Sequence, residues 1–495
     1  MYRLKLLAII LLGSVILNAQ EKFEPNWESL AKEPPTWFQD AKFGIYAHWG
    51  PSSAAYTDME EGQFLGGWHG KQMYQKDQPN YTHHTKLFGP PEEFGYDDLC
   101  RAFNPSGFDA KKWAELFAAS GAKFAGPVAM HHDNFAMWDS KATRWNSVNH
   151  GGKDISGELK KEIEARGMRY MASFHHAYTW IYFSPVHQLV DVDPKDYDLF
   201  TEKHLESDPP SERFHKEWWA KLKEFIDVYE PDMLWFDWWL ENLDEEYRKK
   251  FLAYYYNKGL EWDKEVAVCF KETTFPESVA IRDYERGRPN QPKHPAWLTD
   301  TSPGAWFYRS NAKFVHANEL VDILVDIVAK NGCMLLNVPP DPDGTIPQVM
   351  QDLLIEMGEW LEVNGEAIYK TRPWTIFGEG PTRIAAGGHK IEEKTKIEYT
   401  NEDIRFTKKS DTEFYAIVMD EIDWQLKIKS LSTQLGVLNT EILSVELLGS
   451  DEKIEWQRNK DGLVIRAPKE YPTRHAHTFK ITLEGYKERD IDGGM

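Results

Sequence analysis

Cysteine is scarce in this 495-residue sequence and basic residues are outnumbered by acidic ones, and each feature argues against a class of protein. The three cysteines, Cys100, Cys269 and Cys333, are widely spaced in apolar surroundings. Their number and spacing predict buried free thiols rather than a disulfide framework or a cysteine-based metal motif. Lysine and arginine total 58 against 79 aspartate and glutamate, for a net charge of −21. A nucleic-acid partner is therefore not expected, because phosphate binding needs basic patches, and a highly sulfated substrate is disfavoured.

Long apolar runs are missing beyond the N-terminus. Leu6–Leu17 is apolar, follows Arg3 and Lys5, and is too short for a comfortable membrane span. Residues 1–20 are therefore predicted to be a secretory signal peptide. A lipoprotein anchor is not expected, because no cysteine lies near the end of this segment. Because no later segment reaches membrane-spanning length, we expect a secreted or periplasmic protein.

Aromatic residues, by contrast, are abundant. They make up 14% of the chain and include 20 tryptophans, a composition that is common in carbohydrate-active enzymes. The length allows two or three domains.

Strand-length apolar runs alternate with amphipathic helices over most of the chain. The runs are Lys42–Ala47, Lys123–Met130, Met168–Phe174, Met233–Phe236, Glu265–Phe270 and Cys333–Val338. This alternation, with short turns, predicts a parallel α/β fold, a (β/α) barrel of TIM type over residues 21–375. Ser52–Pro91 lacks a clear period, and a loop of this length is usually functional.

Past Pro373 the pattern changes to short alternating or apolar runs. Thr412–Met419, Ile442–Leu448 and Thr478–Leu483 are typical strands, and Asp461-Gly462 is a strong hairpin signal. We predict a C-terminal β-sandwich over residues 376–487 and a tail over 488–495.

Asp237 directly follows the apolar run Met233–Phe236 and has tryptophans on both sides. In a (β/α) barrel, the residue just past a strand lies at the rim where the chemistry is done. A carboxylate between aromatic rings suits sugar chemistry. The alternative interpretation, a helix N-cap aspartate, is equally compatible with the position.

Histidines also follow predicted strands. His48, His131, His132 and His175 would meet at the same rim, where neutral imidazoles can bind sugar hydroxyls. A zinc site is the less favoured alternative, because no metal-ligand spacing such as HExxH is present. Any one of these histidines could instead be a hydrogen-bonded core residue.

Glycoside hydrolysis needs a second carboxyl group. The aperiodic stretch that begins at Glu272 offers Glu272, Asp283 and Glu285, and composition does not choose among them. The charges around Asp283 could also be a solvated surface run.

Several sequence blocks, in order, resemble the α-L-fucosidases of glycoside hydrolase family 29. They are Lys42-Phe43-Gly44-Ile45, His48-Trp49-Gly50, Phe103-Asn104-Pro105, His131 to Ser140, Leu234-Trp235-Phe236-Asp237, Leu336 to Pro340, Asp343 to Pro347 and Val363 to Tyr369. The resemblance spans roughly Trp37–Trp374.

The resemblance implies roles for individual residues. Asp237 corresponds to the nucleophile, and Glu285 matches an acid/base variant of one subset. The implied substrate-binding residues are His48, Trp49, Trp68, His131, His132, His175, Trp235, Lys271 and Trp306. His175 stands where many members have tyrosine, and Lys271 where many have arginine. Gly67 replaces a glutamate that many members use to bind sugar hydroxyls.

We therefore predict a retaining exo-α-L-fucosidase that acts on fucosylated glycans without a cofactor or metal. The alternatives are the same mechanism on a related sugar, such as an α-L-galactoside, or a carbohydrate-binding protein without turnover. The sequence does not predict an oligomeric state.

Overall fold

The computed structural model describes residues 22–61, 63, 65, 68–382 and 397–485. The predicted signal peptide, Gly67 and the predicted tail lie outside these residues. None of the helices within them is both long and apolar enough to cross a membrane.

A parallel barrel forms the N-terminal part of the described chain. Its strands are β1 (Phe43–Ala47), β2 (Phe124–Met130), β3 (Arg169–Phe174), β4 (Met233–Phe236), β5 (Ala267–Phe270), β6 (Ile281–Arg282), β7 (Trp297–Thr301) and β8 (Gly332–Asn337). They pair in the order β6-β5-β4-β3-β2-β1-β8-β7. A bridge between Asp283 and Leu298 brings the two ends of the sheet together, so the barrel is nearly closed. The predicted barrel is confirmed.

Helices surround this sheet. They are α1 (Thr36–Ala41), α2 (His69–Gln72), α3 (Pro79–Phe88), α4 (Tyr96–Arg101), α5 (Ala110–Ala119), α6 (Ser147–Gly151), α7 (Ile155–Ala165), α8 (Thr179–Tyr182), α9 (Tyr197–Phe200), α10 (Glu212–Tyr229), α11 (Glu245–Glu261), α12 (Ala317–Ala329) and α13 (Gln348–Asn364). Helix α5 begins after a typical N-cap residue, since the Asp109 side chain accepts a hydrogen bond from the Lys112 backbone N–H.

Large side chains fill the inside of the barrel. Tyr46, Phe124, Met171, Trp235 and Leu335 are fully buried in one apolar cluster there. A separate and larger cluster lies between the strands and the helices. The interior is thus a packed core, and a ligand can enter only at its rim.

The C-terminal part is antiparallel. Its strands are β9 (Arg372–Glu379), β10 (Ile404–Lys408), β11 (Glu413–Val418), β12 (Gln425–Ile428), β13 (Ile442–Leu447), β14 (Trp456–Asn459), β15 (Gly462–Arg466) and β16 (His477–Leu483). Among the described residues they form a five-stranded sheet, β13-β16-β11-β10-β9, and a three-stranded sheet, β12-β15-β14. Phe406 and Ile481 from the first sheet share one core with Ile428 and Leu463 from the second, which confirms the predicted sandwich.

A buried ion cluster joins the two parts. Asp326 of α12 contacts Arg288 at 3.2 Å, Lys330 at 2.8 Å and Arg405 of β10 at 2.6 Å. Burial would raise the pKa of Asp326, but these three cations lower it well below its ordinary value. The carboxylate therefore links barrel and sandwich as a fully charged group.

Several details differ from the sequence predictions. The segment Ser52–Pro91, predicted as a loop, contains α2 and α3, and the short strand β6 was not predicted. The predicted boundary at residue 375 falls inside β9, which begins at Arg372 and pairs with β10. Strand β7 was not predicted, because Thr299, Asp300 and Thr301 are polar although all three are buried. Hydrogen bonds and an ion pair at Asp300 make this polar strand possible inside the barrel.

Candidate active site

Five consecutive strands end in the same way. The residue directly after β1 is His48, and His131, His175, Asp237 and Lys271 follow β2, β3, β4 and β5. Parallel strands carry their C-terminal ends on one rim, so these side chains converge. The convergence of His48, His131, His175 and Asp237 was predicted from their positions after apolar runs, whereas Lys271 was indicated by the family resemblance.

The converging side chains line a cavity of about 240 Å³ at the rim. Its lining residues are His48, Trp68, His131, His132, His175, Asp237, Trp238, Lys271, Glu285, Asp300, Trp306 and Phe307. The volume is below the roughly 300–1,000 Å³ of pockets for drug-sized ligands. It therefore suits one sugar ring rather than an extended chain.

Asp237 is the most heavily coordinated group in this pocket. One oxygen, Oδ2, accepts a hydrogen bond from His175 Nδ1 at 2.9 Å and lies 3.4 Å from His132 Nε2. The other, Oδ1, is 3.1 Å from Lys271 Nζ and accepts the Trp238 backbone N–H at 2.9 Å. Burial alone would raise the pKa of Asp237, but Lys271 and His175 outweigh it and hold that pKa well below 3.8. Asp237 is thus ionised, and it is not a helix N-cap.

Lys271 connects the acidic groups. Its Nζ lies 3.1 Å from Asp237, 3.0 Å from Glu285 and 3.2 Å from Asp300. It also lies 4.9 Å from the centre of the Trp235 ring, in cation–π range. Burial would lower the pKa of Lys271, but the three carboxylates raise it well above 10.5. The lysine therefore stays charged at every physiological pH.

The three candidates for the second carboxyl group lie in different places. Glu285 lines the pocket, and its side chain is 42% exposed. Asp283 is buried below the rim, where it accepts hydrogen bonds from Trp235 Nε1 and the Asp300 backbone N–H. Glu272 is exposed to solvent and is not among the lining residues. Position thus favours Glu285, the residue that the family resemblance indicated.

Asp300 is a pocket residue that the sequence analysis missed. Its Oδ2 accepts a hydrogen bond from Tyr46 OH at 2.9 Å and pairs with Lys271. Burial raises the pKa of Asp300 to about 6, despite the opposite effect of Lys271. Burial also raises the pKa of the adjacent Asp283 well above 3.8, and the Asp300 charge adds to this effect. Only the polar composition of Thr299–Ser302 could have indicated a buried acid here.

Burial keeps the pocket histidines neutral, and hydrogen bonds fix the orientation of His48 and His132. His48 Nδ1 donates to Asn337 Oδ1 at 2.9 Å, and His132 Nδ1 donates to the His175 carbonyl at 2.8 Å. Burial holds the pKa of His48 and of His131 well below 6.5 and lowers that of His132 to about 4. A neutral imidazole offers one donor and one acceptor, which matches a sugar hydroxyl.

Aromatic side chains form the walls. Trp306 lies tilted against His48 at 5.4 Å between ring centres, and Trp68 stacks on Trp238 at 5.9 Å. Trp238 and Phe307 were not among the predicted contact residues. Trp238 could have been found from its position next to Asp237, and Phe307 from its position next to Trp306.

Two predicted contacts do not line the pocket. Trp49 points away from the rim, packs against Phe108 at 5.5 Å and Trp113 at 5.6 Å, and donates to the Pro342 carbonyl. Alternate residues face opposite sides, so the neighbour of His48 belongs to the layer between barrel and helices. Trp235 faces the barrel interior two residues before Asp237 and is fully buried one layer lower. It supports the pocket floor through Lys271.

Two groups of side chains could hold a metal ion, among the residues that the structure describes. One is His48, His131 and His175, and the other is His132, His175 and Asp237. In each group the candidate ligand atoms lie within 4.8 Å of one another. From the sequence, a zinc site was the less favoured alternative, and no metal ligand was predicted.

Comparison with known proteins gives one consistent result. The α-L-fucosidase family model matches residues 10–366, and the model of the α-L-fucosidase C-terminal domain matches residues 397–482. Tissue α-L-fucosidase from Rattus norvegicus is 28% identical over 94% of this chain and 93% of its own length. The Homo sapiens tissue enzyme is also 28% identical, over 96% of each chain. The structure of the Thermotoga maritima α-fucosidase in complex with fucose is 27% identical, with a TM-score of 0.72, covering 93% of this chain and 100% of that one.

Barrel, sandwich and acidic pocket together define the class: the protein is a glycoside hydrolase. The α-L-fucosidase family model covers more than two thirds of the chain, so the protein can be assigned to a family within this class. The chain belongs to the α-L-fucosidase family, glycoside hydrolase family 29.

Proposed function

We propose that the protein is a retaining, exo-acting α-L-fucosidase that removes terminal fucose from glycans. The observation that carries the mechanism is the shared contact of two carboxylates with one ammonium group. Oxygens of Asp237 and Glu285 each lie about 3 Å from Lys271 Nζ, so they are no more than about 6 Å apart. Carboxyl groups about 5–5.5 Å apart are typical of retaining enzymes, whereas inverting enzymes keep them about 6.5–9.5 Å apart.

In this mechanism Asp237 attacks C1 of the sugar. Its low pKa keeps the carboxylate ionised, and burial leaves it little water to exclude before the attack. Glu285, at the exposed side of the pocket, donates a proton to the departing oxygen. The half-exposed position suits this role, because the rest of the glycan must leave toward solvent. Glu285 then takes a proton from the water that hydrolyses the glycosyl-enzyme.

Substrate binding follows from the remaining lining residues. The neutral rings of His48, His131 and His132 would bind hydroxyl groups, and Trp306 and Trp68 would pack against the apolar faces of the ring. The small cavity admits one terminal residue, which supports exo action. Family membership supports fucose as that residue.

Trapping tests this proposal. A 2-deoxy-2-fluoro-α-L-fucosyl donor with a good leaving group should add the mass of one fluorofucosyl unit, and peptide mapping should place it on Asp237. The Asp237→Asn protein is the matched control and should stay unlabelled. Labelling at another residue, or full labelling of the control, would contradict the assignment. Aryl α-L-galactoside, assayed beside aryl α-L-fucoside, decides the sugar, and faster galactoside turnover would contradict fucose as the substrate.

We further propose that residues 1–20 direct the protein out of the cytoplasm. The support is the apolar run after Arg3 and Lys5. N-terminal sequencing of the protein recovered from the periplasm or the medium should begin near residue 20 or 21. An intact Met1 in a cytoplasmic fraction would contradict this proposal.

A further inference from the structure

Three imidazole rings meet in the pocket without a carboxylate between them. The ring centres of His131 and His175 are 4.6 Å apart, those of His48 and His175 are 5.1 Å apart, and those of His48 and His131 are 5.5 Å apart. One nitrogen from each ring lies within 4.8 Å of the others. We propose that His48, His131 and His175 form a binding site for a divalent metal ion of zinc type, and that the ion and the sugar compete for the pocket.

Hydrogen bonds already orient two of these rings as metal ligands. His48 Nδ1 donates to Asn337 Oδ1, and His175 Nδ1 donates to Asp237 Oδ2. Each bond leaves Nε2 of the ring without a proton, as metal coordination requires. A carboxylate behind a ligating histidine is the usual second layer of a zinc site. The contact that the ion must displace is the long one, 3.3 Å, between Ser173 Oγ and His175 Nε2.

The third ring carries an independent sign of a missing partner. His131 is 91% buried, and its Nδ1 has no hydrogen-bond partner within the described residues. An unpaired buried polar atom destabilises the protein, and a bound ligand relieves this cost. The sugar is one such ligand, and a metal ion is another.

Geometry and charge both permit the ion. Zn²⁺ binds histidine nitrogens at about 2.0–2.1 Å in tetrahedral sites, which corresponds to about 3.4 Å between nitrogens. The rings must therefore close from at most 4.8 Å. Asp237, Glu285 and Asp300 surround one cation, Lys271, so the acidic side of the pocket favours an added positive charge. Three histidines leave a fourth position for water.

The choice of metal follows from the ligands. Neutral imidazole suits Zn²⁺, Cu²⁺, Ni²⁺ and Co²⁺, whereas Mg²⁺ and Ca²⁺ prefer oxygen ligands. An ion at this position occupies the centre of three histidines that line the pocket, where they would otherwise bind the hydroxyl groups of the sugar. The site is therefore inhibitory.

Calorimetric titration of the full chain with ZnCl₂, after chelator treatment and buffer exchange, tests the proposal. We expect one Zn²⁺ per chain and loss of this binding in saturating L-fucose. Co²⁺ in the same site should give the visible absorption of a four-coordinate ion. Zn²⁺ should also inhibit aryl α-L-fucoside hydrolysis competitively, with EDTA restoring the activity.

Variants locate the ion. His175→Tyr should weaken Zn²⁺ binding by more than about 10-fold, because it removes one of three ligands and a change behind a ligand already costs about 10–100-fold. His131→Gln should do the same, and it serves if His175→Tyr does not fold. His316→Gln, which alters an exposed histidine outside the pocket lining, should bind Zn²⁺ like the parent.

Three results would overturn the proposal. The first is the absence of saturable Zn²⁺ binding, and the second is binding that survives both His175→Tyr and His131→Gln. The third is binding that is abolished by His132→Gln but is unchanged in His48→Gln and His131→Gln. The last result would place the ion on His132, His175 and Asp237 instead. Calorimetry needs no turnover, so failure of the fucosidase proposal would not disturb the calorimetric evidence for the site.

Discussion

Replacing Lys271 by methionine removes a cation that contacts both of the proposed catalytic carboxylates, Asp237 and Glu285. Methionine keeps most of the side-chain volume, so the change is mainly electrostatic. Each of the three contacts, at 3.0–3.2 Å, is worth about 5 kcal/mol of Coulomb attraction at an effective dielectric constant of about 20, before desolvation is subtracted. Since removal of one preorganised charged or dipolar group from an active site typically costs about 10²–10³-fold in kcat, we expect a loss of at least this size.

The pH profile gives the sharper readout. In the proposed mechanism Asp237 must be ionised to attack, and the charge of Lys271 is the largest single cause that lowers its pKa. In the parent protein, activity that depends on Asp237 is therefore retained until the pH falls well below 3.8. In Lys271→Met the pKa of Asp237 should rise, so the acidic limb of kcat/KM moves to higher pH.

Lys271→Arg is the matched control, because it keeps the charge. Aryl α-L-fucoside hydrolysis between about pH 3 and 9 should show a near-parental acidic limb for arginine and a raised one for methionine. Stability adds a second readout. Without the cation, the buried carboxylates have raised folded-state pKa values, so the Tm of Lys271→Met should fall further as the pH rises. The reasoning is refuted if Lys271→Met keeps kcat/KM within about twofold and its acidic limb does not move.

The remaining predictions concern the acid/base, the pocket wall and the domain junction. Glu285→Ala should release a burst of dinitrophenolate from a dinitrophenyl fucoside, and azide should restore turnover with α-L-fucosyl azide as the product. Asp237→Asn should show neither effect. Near-full activity of Glu285→Ala on a natural linkage would exclude Glu285 as the acid/base. Trp306→Ala should raise KM about 10-fold, because it removes a wall of the pocket. Trp49→Phe should lower Tm without changing KM, because Trp49 packs outside the pocket. Equal effects of the two variants on KM would contradict the placement of both rings. Asp326→Asn should destabilise the protein by about 3–5 kcal/mol, because three buried cations lose their counterion. Its pKa is depressed in the folded state, so the parent loses this stabilisation as the pH falls below about 4, and the Tm gap between parent and variant should narrow there.

The barrel and most of its rim could be predicted from local patterns. Buried parallel strands are continuous apolar runs, and the residue after each run lies at the rim, which located His48, His131, His175 and Asp237. Lys271 was indicated only by the family resemblance. Strand β7 breaks this rule, because Thr299 and Asp300 are polar and yet buried. Their partners, Tyr284 and Tyr46, are distant in sequence, so no local signal reveals them.

The errors at the site have a similar origin. Sequence position indicates that a residue is near the rim, but the direction of its side chain depends on packing. Trp49 and Trp235 are both close in sequence to pocket residues, yet one faces the helices and the other lies below the floor. Lys271 was predicted as a sugar contact and lines the pocket, but its pairing with three carboxylates from separate parts of the chain could not be read from local sequence.

The stereochemistry of the first product tests the central proposal most directly. Proton NMR of a fresh hydrolysate of aryl α-L-fucoside should show α-L-fucose before mutarotation produces the β anomer. This is the result of two displacements, with Asp237 as the nucleophile and Glu285 as the acid and base. Initial appearance of β-L-fucose would mean a single displacement by water, and would contradict the mechanism inferred from the two carboxylates around Lys271.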